Sequence, residues 1–145
     1  MVWQLRPEMG AMVEAMVRTV YGSSILPAAE REPARMRIAQ LNTCNACATF
    51  RAPSVMAEGV TEDLYRHLDD YESYGGYTPR QRLAIEYATR FATDHASIDD
   101  AFFARLRTVF TDPEILDLTM CLSAYLGLGR ALAVLGIEDH TAVDV

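Results

Sequence analysis

Lysine is absent from the 145-residue sequence; all 13 basic residues are arginine. That absence excludes imine chemistry on a lysine amine and a phosphate loop closed by lysine. Positive charge is also scarce: acidic residues outnumber basic ones and the formal net charge is −7. A nucleic-acid partner needs a basic face, so none is expected. No apolar run reaches the ~18 residues of a membrane span, and no membrane association is expected. The opening MVWQLRPEMG lacks a basic stretch followed by a long apolar one. It is read as carrying no signal peptide, which makes the protein cytoplasmic. Alternating β-branched runs between turns are missing too, so strand signals are weak.

What is present has helical spacing. Met9, Met12, Val13, Met16, Val17 and Val20 follow the three-four repeat of an amphipathic helix, with Pro7 in its first turn and Gly22 at its end. A second helix is predicted over 32–43, with Pro33 near its start. A third is predicted from about Thr43 to Ala57, with Gly59 as its stop. Thr61 opens a short helix carrying Leu64, Tyr65 and Leu68, and the glycine pair in ESYGGY marks a loop. Thr78-Pro79-Arg80-Gln81 and Thr111-Asp112-Pro113-Glu114 are capping boxes with proline at or beside the first helical position. The first opens a helix through Leu83, Tyr87 and Phe91, the second a long helix to about Leu135. Between them a helix starts near Asp99. The expectation is one all-α domain over 1–145, with six or seven helices.

Only three cysteines occur, too few and too uneven for a disulfide framework. Cys121 stands alone in an apolar run and reads as core. Cys44 and Cys47 form a Cys-x-x-Cys pair in LNTCNACATFR. A structural zinc site wants four ligands, and His67, His95 and His140 are scattered, so zinc is the poorer reading. A redox pair is the better one. With Thr43 as N-cap, both cysteines fall in a first helical turn, where a thiolate is favoured. Arg51, four residues after Cys47, would share its helix face and add a fixed positive charge. The surroundings are not those of thioredoxin, whose motif follows a strand.

The stretch EPARMRIAQLNTCNACATFRAPSVMAEG resembles the carboxymuconolactone decarboxylase superfamily, in its alkylhydroperoxidase D-like (AhpD-like) branch. The likeness extends over about residues 5–138, including the later segments YATRFATDHASIDDAFFARLR and EILDLTMCLSAYLGLGRALAVLGI. It implies an all-helical homo-oligomer (dimer, trimer or hexamer) that reduces hydroperoxides or exchanges electrons with a dithiol. Carried over, Cys47 attacks the peroxide, Cys44 resolves, and Glu32 assists proton transfer. No bound cofactor is implied; the reductant would be an external dithiol of lipoyl type or a reducing partner protein. The family histidine falls at Arg51. Arginine cannot relay protons near neutral pH, so it can only steady a thiolate or hold an anionic substrate.

Glu32 on its own residues also reads as a first-turn carboxylate favoured by the helix dipole. On one straight helix it would lie about 18 Å from Cys44. The two meet only if the chain breaks near Asn42-Thr43 and folds back, or if another subunit contributes. The rival reading is a non-redox binder of a small anion, with Arg51 as clamp and the cysteines as lining.

Overall fold

The computed structural model describes residues 2–137. Within them the chain forms seven α-helices and no strand. These are α1 (Pro7–Gly22), α2 (Ala28–Leu41), α3 (Asn45–Thr49), α4 (Pro53–Ala57), α5 (Pro79–Thr93), α6 (Asp100–Leu106) and α7 (Asp112–Val134). Single 3₁₀ turns occupy Val2–Leu5, Glu62–Tyr65 and His95–Ser97. The segment opened by Thr61 is therefore one such turn, not an α-helix.

Both predicted capping boxes are formed: Thr78 with Gln81 and Thr111 with Glu114. Each satisfies two amide groups that a bare helix start would leave unpaired. Between them they set where α5 and α7 begin.

α2 is the central element. It packs along α5 and α7 and touches α3 and α4. It starts at Ala28, earlier than predicted, so Pro33 lies inside it. A proline there lacks an amide and frees the carbonyl four residues back. That carbonyl is Ala29 O, and the Gln81 side-chain amide of α5 donates to it at 2.9 Å. The first amide of α2, at Ala28, donates to a Glu58 carboxylate oxygen at 2.7 Å.

One side of α2, through Ala34 and Ile38, joins Leu83 and Tyr87 of α5, Phe102 and Leu106 of α6, and Leu118 and Leu122 of α7. The other side, through Met36 and Ala39, packs with Val55, Leu68, Tyr77 and Ile85. α7 is long and apolar enough to cross a membrane by length and composition. Here it is a packing helix, in contact with α1, α2, α3 and α5.

The methionine stripe of α1 is divided. Met16 packs against Val20, Cys121 and Ala124, whereas Met9 and Met12 are exposed.

Candidate active site

α2 does end near Asn42-Thr43, and the chain turns sharply there. Asn42 is the C-cap, and Thr43 takes a left-handed conformation with φ 50°. The Thr43 amide donates to Gln40 O at 2.9 Å and the Cys44 amide to Ala39 O at 3.1 Å. This pair of bonds is a Schellman closure, which usually places glycine at the left-handed position. Thr43 is thus a helix terminator and not the N-cap of α3. Cys44 itself is the N-cap, its Sγ accepting the Cys47 amide at 3.2 Å.

Cys44 and Cys47 are joined by a disulfide, with Cα atoms 5.2 Å apart. The two sulfurs differ in access: Cys44 is 2% exposed, whereas Cys47 is partly open.

The turn brings α2 back against the pair. Arg35 Nη1 donates to the Cys47 carbonyl at 2.6 Å, and Nη2 donates to Phe50 O at 3.3 Å. Its Nε donates to Glu32 Oε2 at 2.7 Å. The Tyr65 hydroxyl donates to the same carboxylate oxygen at 3.2 Å. Glu32 is therefore tied to the Cys47 backbone through Arg35, within one chain. Burial works against the Arg35 charge, but the Glu32 carboxylate outweighs it and holds the guanidinium protonated beyond an ordinary arginine. Burial, reinforced by the Glu32 charge, pushes the Tyr65 phenol up to about 12, so it stays a donor. Glu32 Oε1 is buried with no hydrogen-bond partner.

Arg51 is placed differently from expectation. α3 ends at Thr49, because Phe50 and Ala52 are extended ahead of Pro53. A residue before proline is driven out of the helical region. The four-residue helical relation of Arg51 to Cys47 is therefore lost. Arg51 instead makes a two-pronged pair with Glu62, at 2.7 and 2.9 Å, and its Nη1 donates to Ala48 O and Phe50 O. Its guanidinium lies 4.5 Å from the Tyr65 ring centroid. The hydrogen bond to Glu62 is the main reason that its protonated form is favoured. Arg51 thus staples the end of α3 to the Glu62–Tyr65 turn, with its charge already matched.

Three contributors were not singled out from the sequence. Arg35 and Tyr65 act across the fold, and the local Glu-x-x-Arg spacing of Glu32 and Arg35 was the one available hint. The third is Gly129 of α7. A Cβ there would meet Cys47 Sγ at 3.3 Å and Asn42 Nδ2 at 3.0 Å. Asn42 fixes this corner by donating to Leu126 O and accepting from Arg130 Nε.

Among the described residues no group of three or more His, Cys, Asp or Glu side chains could hold a metal. His67 does have partners: Asp70 at 3.2 Å and a stacked Tyr74 ring. His95 begins the 3₁₀ turn after α5, and His140 lies outside the described residues. Cys121 is buried, and burial pushes its thiol up to about 11, which makes it inert.

The helix order and the placement of the cysteine pair define an all-α protein of AhpD-like fold. A crystal structure of a protein of unknown function from Agrobacterium tumefaciens, proposed to be the antioxidant defence protein AhpD, superimposes with a TM-score of 0.82. The match covers 95% of this chain and 94% of that one at 20% identity. The uncharacterized protein YnjA of Escherichia coli K12 is 27% identical over 109 residues, or 75% of this chain. The chain spans only 56% of that relative's length. No family model matches the sequence.

Proposed function

We propose that the protein is a thiol oxidoreductase of AhpD type that reduces hydroperoxides through Cys44 and Cys47. The observation that carries this reading is the disulfide itself, with one sulfur buried and the other open, backed by the Glu32–Arg35 pair. Cys47, the accessible sulfur, attacks the distal peroxide oxygen as a thiolate. The O–O bond breaks, Cys47 becomes a sulfenic acid, and the alcohol leaves with one proton. Cys44 then attacks Cys47, forming the disulfide and releasing water. An external dithiol of lipoyl type, free or on a reducing protein, restores both thiols and is itself oxidised.

The capping bond suits the reductive half. An incoming thiolate reaches Cys47 and expels Cys44, and the Cys47 amide that points at Cys44 Sγ stabilises the departing thiolate. A better-stabilised leaving thiolate leaves faster. Glu32 supplies the proton acceptor, held by Arg35 and Tyr65. Arg51 serves as a structural clamp, and the exposed Met9 and Met12 face supports assembly into a homo-oligomer. The rival anion-binding reading would need the ligand to displace Glu62 from Arg51.

The test is peroxide consumption with dihydrolipoamide as reductant, beside a Cys47→Ser variant. Turnover in the parent and none in the variant is the expected result. No turnover in either, with the pair still cycling to a disulfide, would leave dithiol exchange alone.

A further inference from the structure

Trp3 is the single tryptophan of the chain, and it sits in the 3₁₀ turn Val2–Leu5 ahead of α1. Its ring packs on the cluster that Cys44 and Ala46 form with Leu132 of α7. Cys47 and Leu128 border the same cluster. Apart from the two cysteines, the side chains packed there with Trp3 are aliphatic. The indole Nε1 is buried with no hydrogen-bond partner, so that edge of the ring is turned inward. The residue as a whole is part-exposed. The ring therefore stands between the cluster and solvent.

A close approach to α1 seats the turn. The Arg6 amide donates to Trp3 O at 3.1 Å, and the Gly10 amide donates to Arg6 O at 3.0 Å. A Cβ at position 10 would stand 2.8 Å from Trp3 Cβ, well inside the separation at which carbon atoms pack. Gly10 thus lets the turn lie against α1 with its ring on the cysteine cluster.

The two sulfurs of the disulfide meet different surroundings. Cys44 is 2% exposed and belongs to the cluster that Trp3 packs on. Cys47 is partly open, and its Sγ lies beside Gly129, which brings no side chain to it. Which sulfur of a disulfide is attacked depends on which one a nucleophile can reach.

We propose that Trp3 determines which sulfur of the pair reacts: its ring closes the Cys44 side, so nucleophiles from solvent reach Cys47 alone. The inference rests on thiol exchange at Cys44–Cys47, the reductive half of the proposed function, and needs no peroxide. The incoming thiolate bonds to the Cys47 sulfur, the S–S bond breaks, and Cys44 leaves with the electron pair. With the cover removed, attack at Cys44 competes and expels Cys47 instead.

The test treats the oxidised, full-length protein with sulfite. Sulfite attacks one sulfur and stays on it as an S-sulfonate, while the other sulfur leaves as a thiolate. The reaction is stopped in acid at early times, the freed thiol is alkylated after unfolding, and peptide mass spectrometry locates each label. In the parent, S-sulfonate on Cys47 should exceed that on Cys44 by about tenfold or more. Trp3→Ala should lose that preference, and Trp3→Phe, which keeps an aromatic cover, should retain most of it. Gly10→Ala provides a second variant with Trp3 intact. Its new Cβ displaces the turn while alanine favours α1, and it should weaken the preference too. Equal labelling in the parent would overturn the inference. Unchanged labelling of Cys47 in both Trp3→Ala and Gly10→Ala would also overturn it. A disulfide that sulfite opens in none of these proteins would remove thiol exchange, and the inference with it. A protein inert to peroxide but labelled as expected would uphold the inference and remove the peroxidase step alone.

Discussion

Arg35 donates to the carbonyl of Cys47 at 2.6 Å, so the cation wired to the cysteine pair comes from the preceding helix. The same guanidinium holds Glu32, and both side chains are almost wholly buried. Removing it strands a buried carboxylate. Arg35→Met should therefore cost about 3 kcal/mol of stability, read as a shift of the urea midpoint. Arg35→Lys should also lose stability, because an ammonium cannot span Glu32, Cys47 O and Phe50 O together. Parent-like stability in Arg35→Met would show that the network contributes nothing.

Thr43 occupies a left-handed position as a β-branched residue. Asparagine tolerates that conformation far better. Thr43→Asn should stabilise the protein by about 1 kcal/mol, seen in chemical denaturation, with the disulfide retained. A loss of stability would mean that the Thr43 hydroxyl bond to Asn42 O outweighs the backbone strain.

Gly129 sets two effects against each other. Alanine in a helix interior gains up to about 1 kcal/mol over glycine. Its Cβ would press on Cys47 Sγ and Asn42 Nδ2, and overpacking costs about 1–3 kcal/mol. The net expectation is a loss of stability in Gly129→Ala, together with an altered rate of Cys47 alkylation in the reduced protein. Gly127, on the same helix, has open space at its Cβ position, so Gly127→Ala should gain stability.

The Arg80–Glu30–Glu114 cluster ties α5 to α2 and to the start of α7. The hydrogen bond from Arg80, with help from the Thr111 amide, holds the Glu114 carboxyl down at about 2, against an ordinary value of 4.5. A carboxyl lowered by folding stabilises the fold above its unfolded value. That contribution is lost as pH falls from about 4.5 through about 2. The stability gap between the parent and Glu114→Gln should thus be full at neutral pH and close across that acid window. A gap unchanged by acid would contradict the pairing.

The helices that carry their own signals were legible in the sequence. Both capping boxes are local, each resting on a side chain three residues from its cap, and both formed where the residues placed them. The start of α2 was not legible. Pro33 looked like a first-turn residue because the group that permits it in mid-helix, Gln81, comes from another helix. The break after α3 was missed for a related reason, although Pro53 and its effect on Ala52 lay in plain view. The cysteine pair was singled out by its Cys-x-x-Cys spacing, and Glu32 by resemblance. Glu32 reaches the Cys47 carbonyl through Arg35, and Tyr65 adds a second bond to the carboxylate; the burial of both is decided by packing and leaves little trace in local spacing. Arg51 was expected on the helix face of Cys47, but it lies beyond the end of α3 and is paired with Glu62, a partner that sequence proximity did not reveal.

The most direct test of the thiol mechanism is a single turnover without added reductant. The fully reduced protein is mixed with one equivalent of an alkyl hydroperoxide, and alcohol release and thiol state are followed together by mass spectrometry. The expected result is one alcohol per chain, loss of two hydrogens confined to Cys44 and Cys47, and an unmodified Cys121. Unconsumed peroxide, with Cys44 and Cys47 remaining free thiols, would contradict the mechanism.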